Sequence, residues 1–165
     1  MRNVRFVFAS KRNPFAIGSF LLRHLERLPF SHCAIVIDGF VYESVFPVSK
    51  ASFIQDWLNN YVIIHDILVE VDSEKLDLIS KDIVSNYLGK RYSIFQLFVI
   101  GVGFISTTVN SWISGITWNG SKFLICTELV ARISNKYFSV DFDEKLDTIS
   151  LREAWNKISK IGELQ

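Results

Sequence analysis

The sequence predicts one α+β domain in which helices pack on a small antiparallel sheet. Short β-rich segments bounded by turn residues occur in the first half of the chain, and amphipathic helical patterns occur in both halves. The chain has no strand–helix alternation long enough for a doubly wound sheet. Its 165 residues fit a single domain, 1–165, and 49% hydrophobic residues, including 14 Phe and 4 Trp, can build a full core.

The N-terminal part of the chain predicts a strand followed by a helix. Residues 4–8 alternate in a β-rich pattern and predict a short strand. The turn cluster at 11–14 separates this strand from residues 15–28, where apolar residues recur at three- and four-residue spacing. This spacing predicts an amphipathic helix, which Pro29 ends because proline cannot continue the helical hydrogen bonding.

A hairpin is predicted immediately after this helix. Asp38-Gly39 is a strong hairpin turn signal, and it lies between two β-rich runs, residues 33–37 and 40–46. These two runs are expected to pair as antiparallel strands joined by a tight turn.

The middle of the chain predicts a short helix over residues 52–59 and a strand over 61–71. Asp72-Ser73 can cap the helix that follows, because short polar side chains accept hydrogen bonds from exposed first-turn N–H groups. Gly89 is expected to end that helix, since glycine readily adopts the left-handed conformation found there.

Two further helices are predicted in the last third of the chain. Residues 123–125 are expected to be extended and to lead into a helix that begins near Cys126. The amphipathic pattern of residues 149–161 predicts a C-terminal helix, with Ser150 as its N-terminal cap.

Composition and motif content exclude several kinds of partner and cofactor. The net charge of +1 gives no electrostatic basis for a nucleic-acid partner. The sequence contains no phosphate-binding glycine loop, no dinucleotide fingerprint and no zinc-like spacing, so neither a cofactor nor a metal is predicted. The two cysteines do not form a disulfide framework and no signal-peptide pattern is present, so a cytoplasmic location is the default expectation.

One long segment is uncharged. No Asp, Glu, Lys or Arg occurs between Arg91 and Lys122, and residues 94–109 are strongly apolar. The apolar run is shorter than the roughly 20 residues that a membrane-spanning helix needs. Residues 93–121 are therefore predicted to form an insertion made of a buried helix and a loop. A membrane-contacting or protein-docking surface at 94–118 is the alternative.

Cys126 is a candidate nucleophile because it lies at the predicted start of a helix. Exposed N–H groups and the positive end of the helix dipole favour a thiolate over a thiol at this position. An adjacent imidazole would lower the pKa of the thiol further and would relay its proton. A buried structural thiol is the alternative, since the neighbouring residues Leu124, Ile125 and Leu129 are apolar.

His32 and Glu43 are the candidate partners of Cys126, because they lie at nearly symmetric positions about the hairpin turn. If both side chains emerge on one face, Glu43 can accept from one ring nitrogen and leave the other facing Cys126. That arrangement supplies a nucleophile, a base and a group that orients the base. A structural histidine and an exposed strand carboxylate are the alternatives. Three other residues are interpreted as core or surface residues: Cys33, His24 and His65.

Three short motifs occur in an order that resembles a known family. They are Ser-His-Cys-Ala-Ile-Val-Ile at 31–37, Val-Tyr-Glu-Ser at 41–44 and Cys-Thr-Glu-Leu-Val at 126–130. With His before Cys, this order resembles the circularly permuted NlpC-type papain-like hydrolases, which include YiiX-like bacterial and phage proteins and, more distantly, lecithin:retinol acyltransferase. The resemblance covers about residues 4–135, and residues 89–95 are similar to a Gly-x-x-Tyr-Asp-Phe segment of the family, although serine replaces the aspartate.

The resemblance implies a papain-like fold and a cysteine hydrolase in which Cys126 is the nucleophile, His32 the base and Glu43 the orienting residue. It implies cleavage of an amide or peptide bond through a thioester, with cell-wall peptide as the leading substrate and no cofactor. The apolar segment 94–109 favours a lipid-directed acyl hydrolase or acyltransferase as the alternative enzyme. A third hypothesis is an inactive binding or structural component of a virion. Delivery to the cell envelope is compatible with the lack of a signal peptide.

Overall fold

The computed structural model of the protein describes residues 2–13, 23, 24, 26–93, 123–142, 146 and 149–163. Most of the helix predicted over 15–28, and residues 94–121 of the predicted insertion, lie outside the described residues. The elements in chain order are β1 (Arg2–Lys11), β2 (His32–Ile37), β3 (Phe40–Glu43), β4 (Lys50–Phe53), α1 (Ile54–Leu58), β5 (Tyr61–Val71), α2 (Ser73–Asn86), β6 (Arg91–Tyr92), β7 (Phe123–Leu124), α3 (Cys126–Phe138) and α4 (Leu151–Glu163).

Five strands form one sheet in the order β4-β3-β2-β1-β5, and all neighbouring strands are antiparallel. The predicted α+β class, with a small antiparallel sheet packed by helices, is therefore confirmed. Strands β6 and β7 form a separate parallel pair, in which Tyr92 lies opposite Leu124. This pair connects the end of α2 to the segment that enters α3.

The sheet has a core on each face. One strand contributes to both cores, because side chains along a strand alternate between the two faces. Phe6 and Phe8 of β1 belong to the larger core, to which α2, α3 and α4 contribute their apolar faces. Val7 and Ala9 of the same strand belong to a smaller core on the other face, which includes Trp57 of α1. Strand β2 is buried along its whole length, which explains its nearly continuous apolar sequence.

The predicted hairpin is confirmed at Asp38-Gly39. Both residues have positive φ, 50° and 80°, the combination that a two-residue turn between antiparallel strands requires. Strand β3 ends at Glu43 and not at residue 46, where the sequence pattern placed its end. The chain then turns, and Glu43 pairs with Lys50 of β4.

Strand β4 was not predicted. The sequence pattern gave a helix over residues 52–59, whereas the structure has a strand to Phe53 and a short helix at Ile54–Leu58. Pairing with β3 determines this conformation: Phe53 lies opposite Phe40, with ring centroids 4.7 Å apart. A contact between strands overrides the weak helical preference of so short a segment.

Three of the predicted helix starts are confirmed. Asp72 Oδ1 accepts a hydrogen bond from the Lys75 N–H over 2.7 Å at the start of α2. Ser150 Oγ accepts one from the Glu153 N–H over 3.1 Å at the start of α4. Helix α3 begins at Cys126, as expected. Among the helices in the described parts of the chain, none combines the length and the apolar character needed to cross a membrane.

Candidate active site

Cys126 is the first residue of α3, and the extended residue Ile125 before it provides no side-chain cap. The strand leading to it is anchored at Leu124, whose carbonyl oxygen accepts hydrogen bonds from Ser44 Oγ over 2.8 Å and from the Ser93 N–H over 3.4 Å. Cys126 is only 6% exposed. The thiol is thus held at the positive end of a helix dipole, in an environment with little water.

His32 and Glu43 emerge on one face of the sheet. The register of β2 and β3 pairs Ile35 with Tyr42, and continuing it places Glu43 opposite Ala34, two residues from His32. The two side chains are therefore diagonal neighbours, a separation that long side chains can bridge. His32 Nε2 lies 2.8 Å from Glu43 Oε2, and both side chains are buried.

Two further groups hold the Glu43 carboxylate. The Trp57 indole N–H donates to Glu43 Oε2 over 2.9 Å, and Lys50 Nζ lies 3.6 Å from Oε1. Burial acts to raise the pKa of Glu43, but the hydrogen bonds from His32 and Trp57 and the charges of His32 and Lys50 outweigh it and lower this pKa. The carboxylate is therefore ionised and fixed in position.

The imidazole of His32 lies at one end of an aromatic stack. It packs on the ring of Tyr61, with centroids 5.1 Å apart and planes 24° apart, and Tyr61 in turn stacks on Trp57 at 4.5 Å. Because Nε2 faces Glu43, Nδ1 is the ring nitrogen left to interact with Cys126. Burial acts to lower the pKa of His32, but the hydrogen bonds to Cys126 and Glu43 raise it to about 9.

The same contacts favour the thiolate of Cys126. The largest cause is a hydrogen bond from the Cys33 thiol; burial opposes it, and the hydrogen bond and charge of His32 and the Cys33 backbone N–H add to it. Together they lower the pKa of Cys126 well below its ordinary value. With a raised pKa on His32 and a lowered one on Cys126, the arrangement favours a thiolate–imidazolium pair at neutral pH.

The structure brings together the three residues that the sequence predicted, and it adds three that sequence reasoning missed. Trp57 and Tyr61 carry no recognisable signal, because they enter the site through the fold of α1 and β5. Cys33 is a core residue, as expected, and is also in contact with Cys126. Its position next to His32 was the available signal. His65 instead stacks on Trp155 of α4, with centroids 4.1 Å apart.

A cleft of about 610 Å³ lies beside Glu43. Its lining combines the charged side chains of Lys11, Arg12, Lys50 and Asp56 with apolar surface that includes the ring of Trp57. Within the part of the chain that the structure describes, no group of three or more His, Cys, Asp or Glu residues is placed to hold a metal ion.

Comparisons with known proteins gave no match: no protein-family model, no curated protein and no solved structure matches this chain. The likeness to the permuted NlpC-type hydrolases therefore stays a prediction that depends on three short motifs. The functional interpretation depends on the geometry of the site.

Proposed function

We propose that the protein is a cysteine hydrolase in which the Cys126 thiolate attacks the carbonyl of an amide or peptide bond. One observation carries this proposal: a buried imidazole lies 2.8 Å from a buried carboxylate through Nε2 and interacts with the thiol of a cysteine at a helix N-terminus. This is the arrangement of nucleophile, base and orienting group that acyl transfer uses. A histidine with only a packing role does not require it.

The first half of the reaction forms a thioester. The Cys126 thiolate adds to the acyl carbonyl, and the carbonyl π electrons move to oxygen, which the Cys126 backbone N–H helps to stabilise. When the tetrahedral intermediate collapses, the carbon–nitrogen bond breaks and His32 donates its Nδ1 proton to the departing amine. The acyl group remains on Cys126 and His32 becomes neutral.

The second half releases the acid. Neutral His32 accepts a proton from water through Nδ1 as the water oxygen attacks the thioester carbon. Collapse of this second intermediate breaks the carbon–sulfur bond and restores the thiolate–imidazolium pair. Throughout, Glu43 holds Nε2–H by its hydrogen bond, so that Nδ1 stays directed at Cys126.

The substrate class proposed is a polar peptide, with cell-wall peptide as the leading candidate by resemblance. Four charged side chains in the cleft beside Glu43 support a peptide over an acyl chain, because they would have to be desolvated against a lipid tail: Lys11, Arg12, Lys50 and Asp56. The lipid-directed alternative depends on segment 94–109, which lies outside the described residues.

Trapping the thioester tests the proposal. The full chain is incubated with activated acyl esters and with peptide substrates, and the protein is analysed by intact-mass and peptide-mass measurement. We expect an acyl adduct on Cys126 that is absent in Cys126→Ser and strongly reduced in His32→Ala. His65→Ala is the matched control, because that imidazole packs on Trp155, and it should acylate normally.

Two results would contradict the proposal. One is a folded wild-type protein that forms no adduct with any acyl donor, which favours the binding-component hypothesis. The other is acylation of Cys126 at the same rate with and without the His32 imidazole, because the thiol would then react without its base.

A further inference from the structure

The cleft beside Glu43 is enclosed by four parts of the chain. Its walls come from the end of β1, strand β4, helix α1 and the turn that leads into β5. Glu43, Trp57 and Tyr61 belong to its lining, and Tyr61 also stacks on the His32 ring. A group bound in this cleft would therefore lie next to the residues that hold the candidate base.

The charge that this cleft presents to solvent is mainly positive. Among the described residues of its lining, three exposed side chains are cationic: Lys11, Arg12 and Lys50. Asp56 is the exposed anion among them. Glu43 is 1% exposed, and its Oε2 is already occupied by His32 and Trp57. The cleft therefore attracts an anionic group more than a cationic one.

Arg12 is anchored by its backbone and by one nitrogen of its side chain. Its backbone N–H donates to the Asn60 carbonyl oxygen over 2.9 Å, and its Nε–H donates to the Leu58 carbonyl oxygen over 2.9 Å. These bonds fix the guanidinium and leave its two Nη groups. The planar edge that they form matches the two oxygens of a carboxylate.

The two lysines of the cleft can add to this attraction. Within the described parts of the chain, Lys11 and Arg12 form no ion pair. Lys50 Nζ lies 3.6 Å from Glu43 Oε1, and the Lys50 side chain is 55% exposed. This separation is longer than a hydrogen bond, so the ammonium group can bind a second anion in the cleft.

We propose that the cleft is a subsite for a carboxylate of the peptide substrate, with Arg12 as its bidentate partner and Lys11 and Lys50 as supporting charges. This inference rests on the proposed function, because it specifies the substrate that the same site accepts. The carboxylate comes from an acidic side chain or from the free C-terminus of the peptide, and the test below distinguishes these two sources.

The competing explanation is that these cations are ordinary surface charges in water. Single exposed ion pairs contribute little, because water screens them and the side chains lose freedom. The cleft differs from an open surface in that its volume of about 610 Å³ lets charged groups from β1 and β4 reach one ligand. Such enclosure is typical of sites that bind small ligands.

The test measures peptide binding without turnover. Isotope-labelled Cys126→Ser, as the full chain, is titrated with three acetylated tetrapeptides, and the amide and indole N–H signals are followed by NMR. The first peptide has a glutamate and an amidated C-terminus, the second has glutamine in its place, and the third has glutamine and a free C-terminus. We expect at least one carboxylate peptide to bind about three- to tenfold more tightly than the neutral one. The signals that shift should include the Trp57 indole N–H and the Asn60 amide, since both residues line the cleft.

Matched charge-removing variants locate the binding. Arg12→Gln should remove most of the preference for a carboxylate, and Lys11→Gln should lower it by about twofold. Lys81→Gln is the control, because Lys81 is exposed on α2 and does not line the cleft. Chemical unfolding shows whether Arg12→Gln folds. Lys11→Gln provides the second variant, because the Lys11 side chain makes no hydrogen bond with the described residues.

Equal binding of the neutral and carboxylate peptides, or a preference that neither cleft variant changes, would overturn this inference. Absence of binding by all three peptides would overturn it too. None of these results bears on acylation of Cys126, so the proposed function would stand. A wild-type chain that prefers the carboxylate but forms no acyl adduct would contradict the proposed function and leave the cleft as a carboxylate-binding site.

Discussion

Trp57 donates its indole N–H to Glu43 Oε2 over 2.9 Å, and this is the same carboxylate oxygen that faces His32 Nε2 at 2.8 Å. The hydrogen bond joins α1 to β3 on the smaller-core face of the sheet. The carboxylate proposed to orient His32 is therefore itself held in position, by a residue that also stacks on Tyr61.

Replacing Trp57 by phenylalanine should lower the rate of thioester formation while the ring stack of the site is retained. The ring remains to stack on Tyr61, but Glu43 loses a donor, so its pKa should rise and its hold on His32 should loosen. One hydrogen bond of about 1 kcal/mol corresponds to a thioester-forming rate lower by about fivefold. Trp155→Phe is the control, because Trp155 stacks on His65 and should leave this rate unchanged. Equal effects of the two variants would contradict the assignment of Trp57.

Glu43→Gln should move the basic limb of the hydrolysis profile. The carboxylate contributes to raising the pKa of His32 from 6.5 to about 9. Without its charge, that pKa should fall, so the imidazolium that protonates the leaving group is lost at lower pH. The rate at neutral pH should drop by about 10² to 10⁴, as expected for the loss of an orienting carboxylate. A basic limb at the wild-type position would show that Glu43 does not act on His32.

The contribution of the His32–Cys126 pair to the free energy of unfolding should be nearly independent of pH between about 6.5 and 9. In this range the unfolded chain carries its proton on the Cys126 thiol, whose ordinary pKa is 9.0, while the folded chain carries it on His32. The two states bind equal numbers of protons, so the pH derivative of the unfolding free energy vanishes.

In Cys126→Ser, the pH dependence of stability should come from His32 without the opposing contribution of the thiol. Its folded His32 keeps a pKa raised by Glu43, so the folded state binds more protons and stability falls as pH rises above 6.5. Urea unfolding of both proteins across this range measures the difference. A parallel decline in wild type would mean that its thiol is protonated when folded.

Asp82 provides a test of stability outside the site. It accepts hydrogen bonds from Lys136 Nζ over 2.8 Å and from the Tyr137 hydroxyl over 3.1 Å, and so ties α2 to α3. Burial opposes these bonds, but they lower the pKa of Asp82, so its contribution is present above the unfolded value of 3.8 and is lost as pH falls through the lower folded value.

Asp82→Asn should therefore lower the unfolding midpoint at neutral pH and approach wild type in acid, with the Cys126 alkylation profile unchanged. Asp77→Asn, on the same helix but with a side chain 76% exposed, is the matched control and should have little effect. Equal midpoints of the Asp82 and Asp77 variants would contradict this role.

The sequence allowed the fold class and the three central residues to be predicted because their signals are local. Asp38-Gly39 fixes the hairpin, and the near-symmetry of His32 and Glu43 about it places them on one face. The start of α3 at Cys126 follows from an extended run that changes to a helical pattern.

What could not be predicted depends on contacts between distant segments. Strand β4 exists because it pairs with β3, and its own sequence favours a helix as readily. Trp57 meets Glu43 only after that pairing has positioned α1. The contact between Cys33 and Cys126 requires α3 to cross the start of β2, which periodicity along a single segment does not reveal.

The pH dependence of Cys126 alkylation tests the central claim most directly. Iodoacetamide labelling between about pH 4 and pH 9 is followed in wild type, His32→Ala and the control His65→Ala. We predict that wild type and His65→Ala are labelled well below pH 7, within the roughly 3.5–7.5 range of imidazole-paired thiols. Labelling in His32→Ala should move towards the ordinary pKa of 9.0. A thiol that reacts only above about pH 8 in wild type, or one that is indifferent to His32, would contradict the thiolate–imidazolium pair and the hydrolase built on it.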